Sequence, residues 1–79
     1  MLRHEVVSST IQTIGYKENT LFVRFNTGCT YSYSDVPFTV FITLQKAESV
    51  GRTFHHEVKG KYYYTKLDYD PFDKYVKAA

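Results

Sequence analysis

Apolar and polar positions alternate from Thr20 to Phe25. Leu21, Val23 and Phe25 fall on one face, Phe22 and Arg24 on the other. A period of two is the signature of a strand with one buried face. Upstream, Ser8 to Tyr16 is rich in β-branched residues and reads as a strand over about 9–16, with Gly15 marking a bulge or bend near its end. Lys17-Glu18-Asn19 is the polar turn between the two. Asn26-Thr27-Gly28 then reads as a hairpin loop of three residues, with Gly28 in the left-handed position. That loop pairs Phe25 with Cys29, Val23 with Tyr31 and Leu21 with Tyr33. It puts both tyrosines of strand 29–34 on the inner face and Thr30, Ser32 and Ser34 toward solvent. A two-residue loop would slip the register by one and turn the tyrosines outward.

The pattern changes at Asp35-Val36-Pro37, which stops the strand. Pro37 is suited to the start of a helix, where a missing N–H costs little. Phe38 to Glu48 follows as a helix, with Phe38, Phe41, Ile42, Leu44 and Ala47 toward the sheet. Its β-branched residues lower its intrinsic propensity, so packing has to hold it. A short second helix runs from Gly51 to Lys59, with Ser49 as a candidate N-cap and Gly60 closing it. Lys61 to Leu67 is extended. Met1 to Val7 is either a loose arm or an edge strand. Residues 68–79 form an acidic-aromatic tail in which Tyr69, Phe72 and Tyr75 are spaced for a docked turn or helix.

The expected architecture is one α+β domain. A three-stranded antiparallel meander packs on helix 38–48, followed by a short helix and a final extended segment near 62–66. The expected core is Leu21, Val23, Phe25, Tyr31, Tyr33, Val36, Phe41, Leu44, Phe54 and Val58. At 79 residues the core is small, since a chain of this size buries only about 60% of its unfolded surface. Eight Tyr and six Phe offset this by the large area each buries.

A net charge of +2 is too weak to imply a polyanion partner, but its distribution is uneven. Arg52, Lys59, Lys61 and Lys66 stand against the single acid Glu57, with His55 and His56 among them. The one cysteine, Cys29, excludes an internal disulfide and suits a reducing cytosol. The first residues contain no apolar run of signal-peptide length, and nothing approaches a spanning helix. The expectation is a soluble cytoplasmic protein without membrane contact.

Ser8-Ser9-x-Ile11-x-x-Ile14-Gly15-Tyr16, Leu21-x-Val23-x-Phe25-x-x-Gly28, Tyr31-x-Tyr33-x-x-Val36-Pro37, Gly51-x-x-Phe54 and the Tyr62–Leu67 end occur in this order. Together they resemble the KTSC domain, a module of about 60 residues that also stands at the C-terminus of some lysyl-tRNA synthetases. The resemblance covers residues 8–67, leaving 1–7 as the arm or edge strand and 68–79 as an extra tail. It departs at His55, where family members often carry Asn. The synthetase context is what points the resemblance toward RNA.

Arg52, His55 or His56, and Lys59 fall at three- and four-residue spacing, so they form one basic stripe on the second helix. With Lys61, Tyr62 and Tyr64, and with Arg24 from the sheet, they make a candidate nucleic-acid surface, in which cations hold phosphate and rings stack on bases. Tyr31 and Tyr33 read either as a stacking platform or as core, and the register favours core. Adjacent His55 and His56 diverge by about 100° and do not face one metal. No nucleophile–base pair, metal set or phosphate loop is recognisable, so no enzyme activity, metal or cofactor is expected. Asp35 reads as a helix cap.

Three readings follow: a non-enzymatic RNA or nucleic-acid binding module, a protein-interaction or homodimerising module using Phe22, Tyr63 and an edge strand, and a small-nucleotide-binding protein.

Overall fold

The computed structural model describes residues 1–72. Tyr75 and the rest of the expected tail lie outside the described residues. The chain forms one antiparallel sheet of five strands in the order of the sequence: β1 (Leu2–Glu5), β2 (Ile11–Lys17), β3 (Thr20–Phe25), β4 (Thr30–Tyr33) and β5 (Tyr64–Leu67). Two helices, α1 (Phe38–Lys46) and α2 (Val50–Glu57), lie between β4 and β5 in sequence. The fold class is α+β as expected, but the sheet is not a three-stranded meander. The N-terminal segment pairs with β2 and the last extended segment pairs with β4, adding a strand at each edge.

The β3–β4 register is the one the loop length dictates: Leu21 faces Tyr33 and Val23 faces Tyr31. Gly28 adopts φ +98°, a conformation that glycine reaches without a Cβ clash. The Phe25 N–H donates to the Cys29 carbonyl at 2.9 Å and closes the hairpin. The β2–β3 turn is tighter than Lys17-Glu18-Asn19. Lys17 and Thr20 are themselves paired, and Glu18 and Asn19 both take positive φ, as a two-residue hairpin loop of this hand requires.

Ile11, Ile14, Tyr16, Leu21, Val23 and Tyr33 turn one sheet face toward the helices. Tyr16 meets α1, with ring centroids 5.3 Å from Phe38 and 5.7 Å from Phe41. Phe54 of α2 meets Phe25 and Tyr33. Val36, Leu44, Val50 and Val58 complete this core. Phe25 and Tyr31, expected inside, are half-buried.

The junction before α1 differs in detail from expectation. Asp35 is exposed with φ +56° and is not the cap; Pro37 holds that position, with no side-chain cap bond. Ser49 precedes α2, but its hydroxyl makes no cap bond either. What fixes the junction is Val36. Its N–H donates to the Asn19 carbonyl at 2.8 Å, and its own carbonyl accepts from the Tyr16 hydroxyl at 2.6 Å.

The opposite face of the sheet is closed by the chain itself. After β5 the backbone turns back, and Phe72 lies buried beside Gly15. The Arg3 guanidinium donates to the Phe72 carbonyl at 3.2 Å and stands 5.6 Å from its ring centroid. Asp70 accepts from the Phe72 N–H at 2.9 Å and pairs with Arg24. Thr30, expected in solvent, is accordingly buried on this side. The β2 irregularity falls between Ile11 and Thr13, not at Gly15. Gly15 is there for space, because an added Cβ would stand 2.7 Å from Phe72 Cε1 and 2.5 Å from Met1 Sδ.

Gly15→Ala is therefore expected to destabilise the domain by about 1–3 kcal/mol through overpacking. In a Phe72→Ala background the same change should cost less, with only Met1 Sδ and the Leu2 carbonyl left against the new Cβ. A urea-unfolding cycle of the four proteins checks this; equal costs in both backgrounds would show that Phe72 does not occupy this space.

Candidate functional site

An open cleft of about 690 Å³ lies on the helix side, toward the β4–β5 edge. Its floor is aromatic and comes from four elements: Phe25 of β3, Tyr31 and Tyr33 of β4, Phe54 of α2 and Tyr64 of β5. These rings form a closed circuit. Centroid separations run 5.8 Å from Tyr64 to Tyr33, 5.5 Å to Phe54, 5.6 Å to Phe25, 5.7 Å to Tyr31 and 5.8 Å back to Tyr64. Three of the contacts are edge-to-face, the arrangement that ring quadrupoles favour.

The circuit follows from register and helix spacing. Pairing Val23 with Tyr31 places Phe25 and both β4 tyrosines on one face, and pairing Tyr33 with Tyr64 extends that face onto β5. Phe54 drops in from above because α2 turns Val50, Phe54 and Val58 inward. The next residue, His55, then stands on the rim, and Lys59 stands beside it one turn on. Asn26 and Thr27 of the hairpin tip form the facing wall. No carboxylate lines the cleft among the described residues.

Tyr33 is the deepest tyrosine of the cleft, at 7% exposure. Burial pushes its hydroxyl up to about 12, and neighbouring Tyr31 and Tyr64 add to the shift because a phenolate there would face theirs. The group is a neutral donor across the ordinary pH range. Among the described residues, the one tyrosine hydroxyl bonded to the protein is that of Tyr16.

The basic residues read from the sequence are partly gathered here. His55 and Lys59 are on the rim, and Arg52 is exposed one turn earlier on α2, outside the lining. Lys61 is exposed in the turn after α2. Tyr64 is in the floor, whereas Tyr62 packs half-buried against the core. Arg24 does not join them: it points to the opposite sheet face, where Asp70 pairs with it. Phe22 is half-buried on that same far face, opposite Gly15. Tyr63, one residue before β5, is 80% exposed. Tyr31 and Tyr33 are both core-facing and site-forming, a combination the sequence reading treated as alternatives. Phe25, Phe54 and Cys29 were not expected at a site, and the register already drawn for β3–β4 was the signal for Phe25.

No group of three or more His, Cys, Asp or Glu side chains capable of holding a metal occurs among the described residues. No helix among them is long and apolar enough to cross a membrane.

The KTSC domain family model matches residues 7–63. An uncharacterized protein of Stutzerimonas stutzeri is 35% identical over 71 residues, covering 86% of this chain and 100% of its own length. A segment of a lysine–tRNA ligase from Trichormus variabilis is 44% identical over 48 residues, covering 61% of this chain; the match spans 9% of the ligase. Among solved structures, the crystal structure of a KTSC domain protein from Yersinia pestis superposes with a TM-score of 0.78. It is 37% identical, and the match covers 82% of this chain and 94% of that one.

The raised Tyr33 pKa has a stability consequence. An unfolded tyrosine ionises near about 10, so above that pH the unfolded chain holds fewer protons than the folded one. The stabilisation is fully present below pH ~10 and is lost as pH rises through the folded value. Ultraviolet phenolate titration should show one tyrosine ionising near 12, and Tyr33→Phe should remove it and flatten the alkaline loss of stability. Disappearance of that late step in a Tyr16→Phe protein instead would assign it wrongly.

Proposed function

This chain belongs to the KTSC domain family, and on that premise we propose that it is a non-enzymatic binding module for single-stranded nucleic acid, RNA in particular. The observation that carries the reading is the juxtaposition of a five-ring aromatic floor with a cationic rim in which no carboxylate occurs among the described residues. Nucleic acid presents the complementary pair of surfaces: flat bases that stack on rings and phosphates that attract lysine, arginine and histidine. Arg52, Lys59 and Lys61 supply the phosphate contacts along the α2 side, and Tyr64 supplies a ring at the open edge. Arg24 is left out, since its charge is already paired on the far face.

The likeness to a segment of a lysine–tRNA ligase supports the choice of RNA, because that protein is named for its tRNA substrate. Ligation itself is not carried over from a match that spans 9% of the enzyme.

Fluorescence anisotropy with labelled single-stranded RNA, at about 50 and 200 mM salt, tests the reading. Affinity should fall strongly at the higher salt. Replacing Arg52, Lys59 and Lys61 together by Ala should weaken binding and flatten its salt dependence by about three phosphate contacts. Unchanged affinity in that triple variant would reject this surface.

A further inference from the structure

The binding reading leaves open what unit of a strand the cleft recognises, and the inference that follows rests on that reading. A cleft of about 690 Å³ is the size of a small-molecule site. It is lined by α2 on one side and by Asn26 and Thr27 of the hairpin tip on the other. Stacked bases of a duplex cannot present their faces to such a floor without leaving the stack. An unpaired base can.

Aromatic enclosures also recognise quaternary ammonium groups, through the negative faces of their rings. The charges decide between the two here. Lys59 and His55 stand at the mouth, Arg52 stands one helical turn away, and no carboxylate lines the cleft among the described residues. A cationic guest would meet this rim unfavourably. A guest with a flat apolar-faced ring and an attached anion meets both parts of the site favourably.

We infer that the cleft holds one unpaired nucleotide, its base on the rings of Tyr64, Tyr31 and Phe25, its phosphate at Lys59, and a polar atom of the base edge facing the Tyr33 hydroxyl. Tyr64 is the main stacking residue, because it is the most exposed ring of the five at 59%. Tyr33 is the specificity-determining residue. Its hydroxyl stays neutral, able to donate or accept, and makes no hydrogen bond to the described part of the protein. A neutral hydroxyl can donate to an acceptor or accept from a donor, so bases that place a polar edge atom there are favoured over bases that leave the hydroxyl unpaired.

The test joins an amide NMR titration to RNA anisotropy on the full chain. Probes are adenosine and uridine monophosphates, inorganic phosphate and choline. The nucleoside monophosphates should shift the amides of Tyr31, Phe54, His55, Lys59 and Tyr64. Phosphate alone should affect only the surroundings of Lys59, and choline should affect none. Tyr64→Leu should weaken single-stranded RNA binding roughly five- to hundredfold. Tyr33→Phe should leave stacking in place while narrowing the difference in affinity between homopolymer RNAs. Thermal melts confirm that both variants fold, which the exposure of Tyr64 and the conservatism of Tyr33→Phe favour.

Salt-dependent RNA binding with silent cleft amides and unaffected variants would overturn the nucleotide inference and leave the binding module standing. Monophosphate binding in the cleft without RNA binding would support the inference and defeat the RNA reading. Choline shifts in place of monophosphate shifts would overturn the inference in favour of a cation enclosure. Silence toward every probe and every RNA would overturn both.

Discussion

Two hydrogen bonds on Val36 hold the two sides of this fold together. β4 ends at Tyr33, the backbone bends through a left-handed Asp35, and Val36 docks fully buried against the β2–β3 hairpin. Its N–H meets the Asn19 carbonyl and its carbonyl meets the Tyr16 hydroxyl. Buried backbone groups left unpaired are costly, so this exchange both satisfies Val36 and fixes where Pro37 begins the first helix. With α1 anchored over Tyr16, the short loop to Val50 leaves α2 over β3 and β4. Phe54 then lands between Phe25 and Tyr33. The cleft is thus a remote consequence of one clamp at the strand–helix junction.

The sheet has two faces, and they are closed by different means. Helices cover the first but leave its β4–β5 corner open, where the aromatic circuit meets solvent. The second is closed by the returning chain, with Phe72 against Gly15 and Asp70 against Arg24. A charge that looks available on a sequence map is thereby spent inside the fold. For a chain of this size, covering both faces adds buried area that a two-layer domain would lack.

Much of the helix-bearing face was legible in the sequence. Alternation over Thr20–Phe25 and a three-residue loop ending in Gly28 determine the β3–β4 register without further information. The same alternation assigned Arg24 to the face opposite Tyr31 and Tyr33, so its separation from Arg52 was implicit, although net charge along the chain conceals it. What the chain order does not reveal is which non-neighbouring segments close a face. β1 has no strong pattern of its own, and Phe72 looks like one aromatic among many until the space at Gly15 is seen. The five-ring circuit is likewise invisible locally, because it draws single residues from four elements. Tyr31 and Tyr33 illustrate the point. Core and platform are exclusive on a flat strand map, but at an uncovered corner one tyrosine is buried and the other half-exposed within the same site.

We propose that this corner receives a base. Intermolecular nuclear Overhauser contacts between a short single-stranded RNA and the aromatic protons of the domain would report it. A base seated there should give contacts from its protons to the rings of Tyr64, Tyr31 and Phe25. Contacts confined to Tyr63 and the far face of the sheet, with none to those rings, would contradict it.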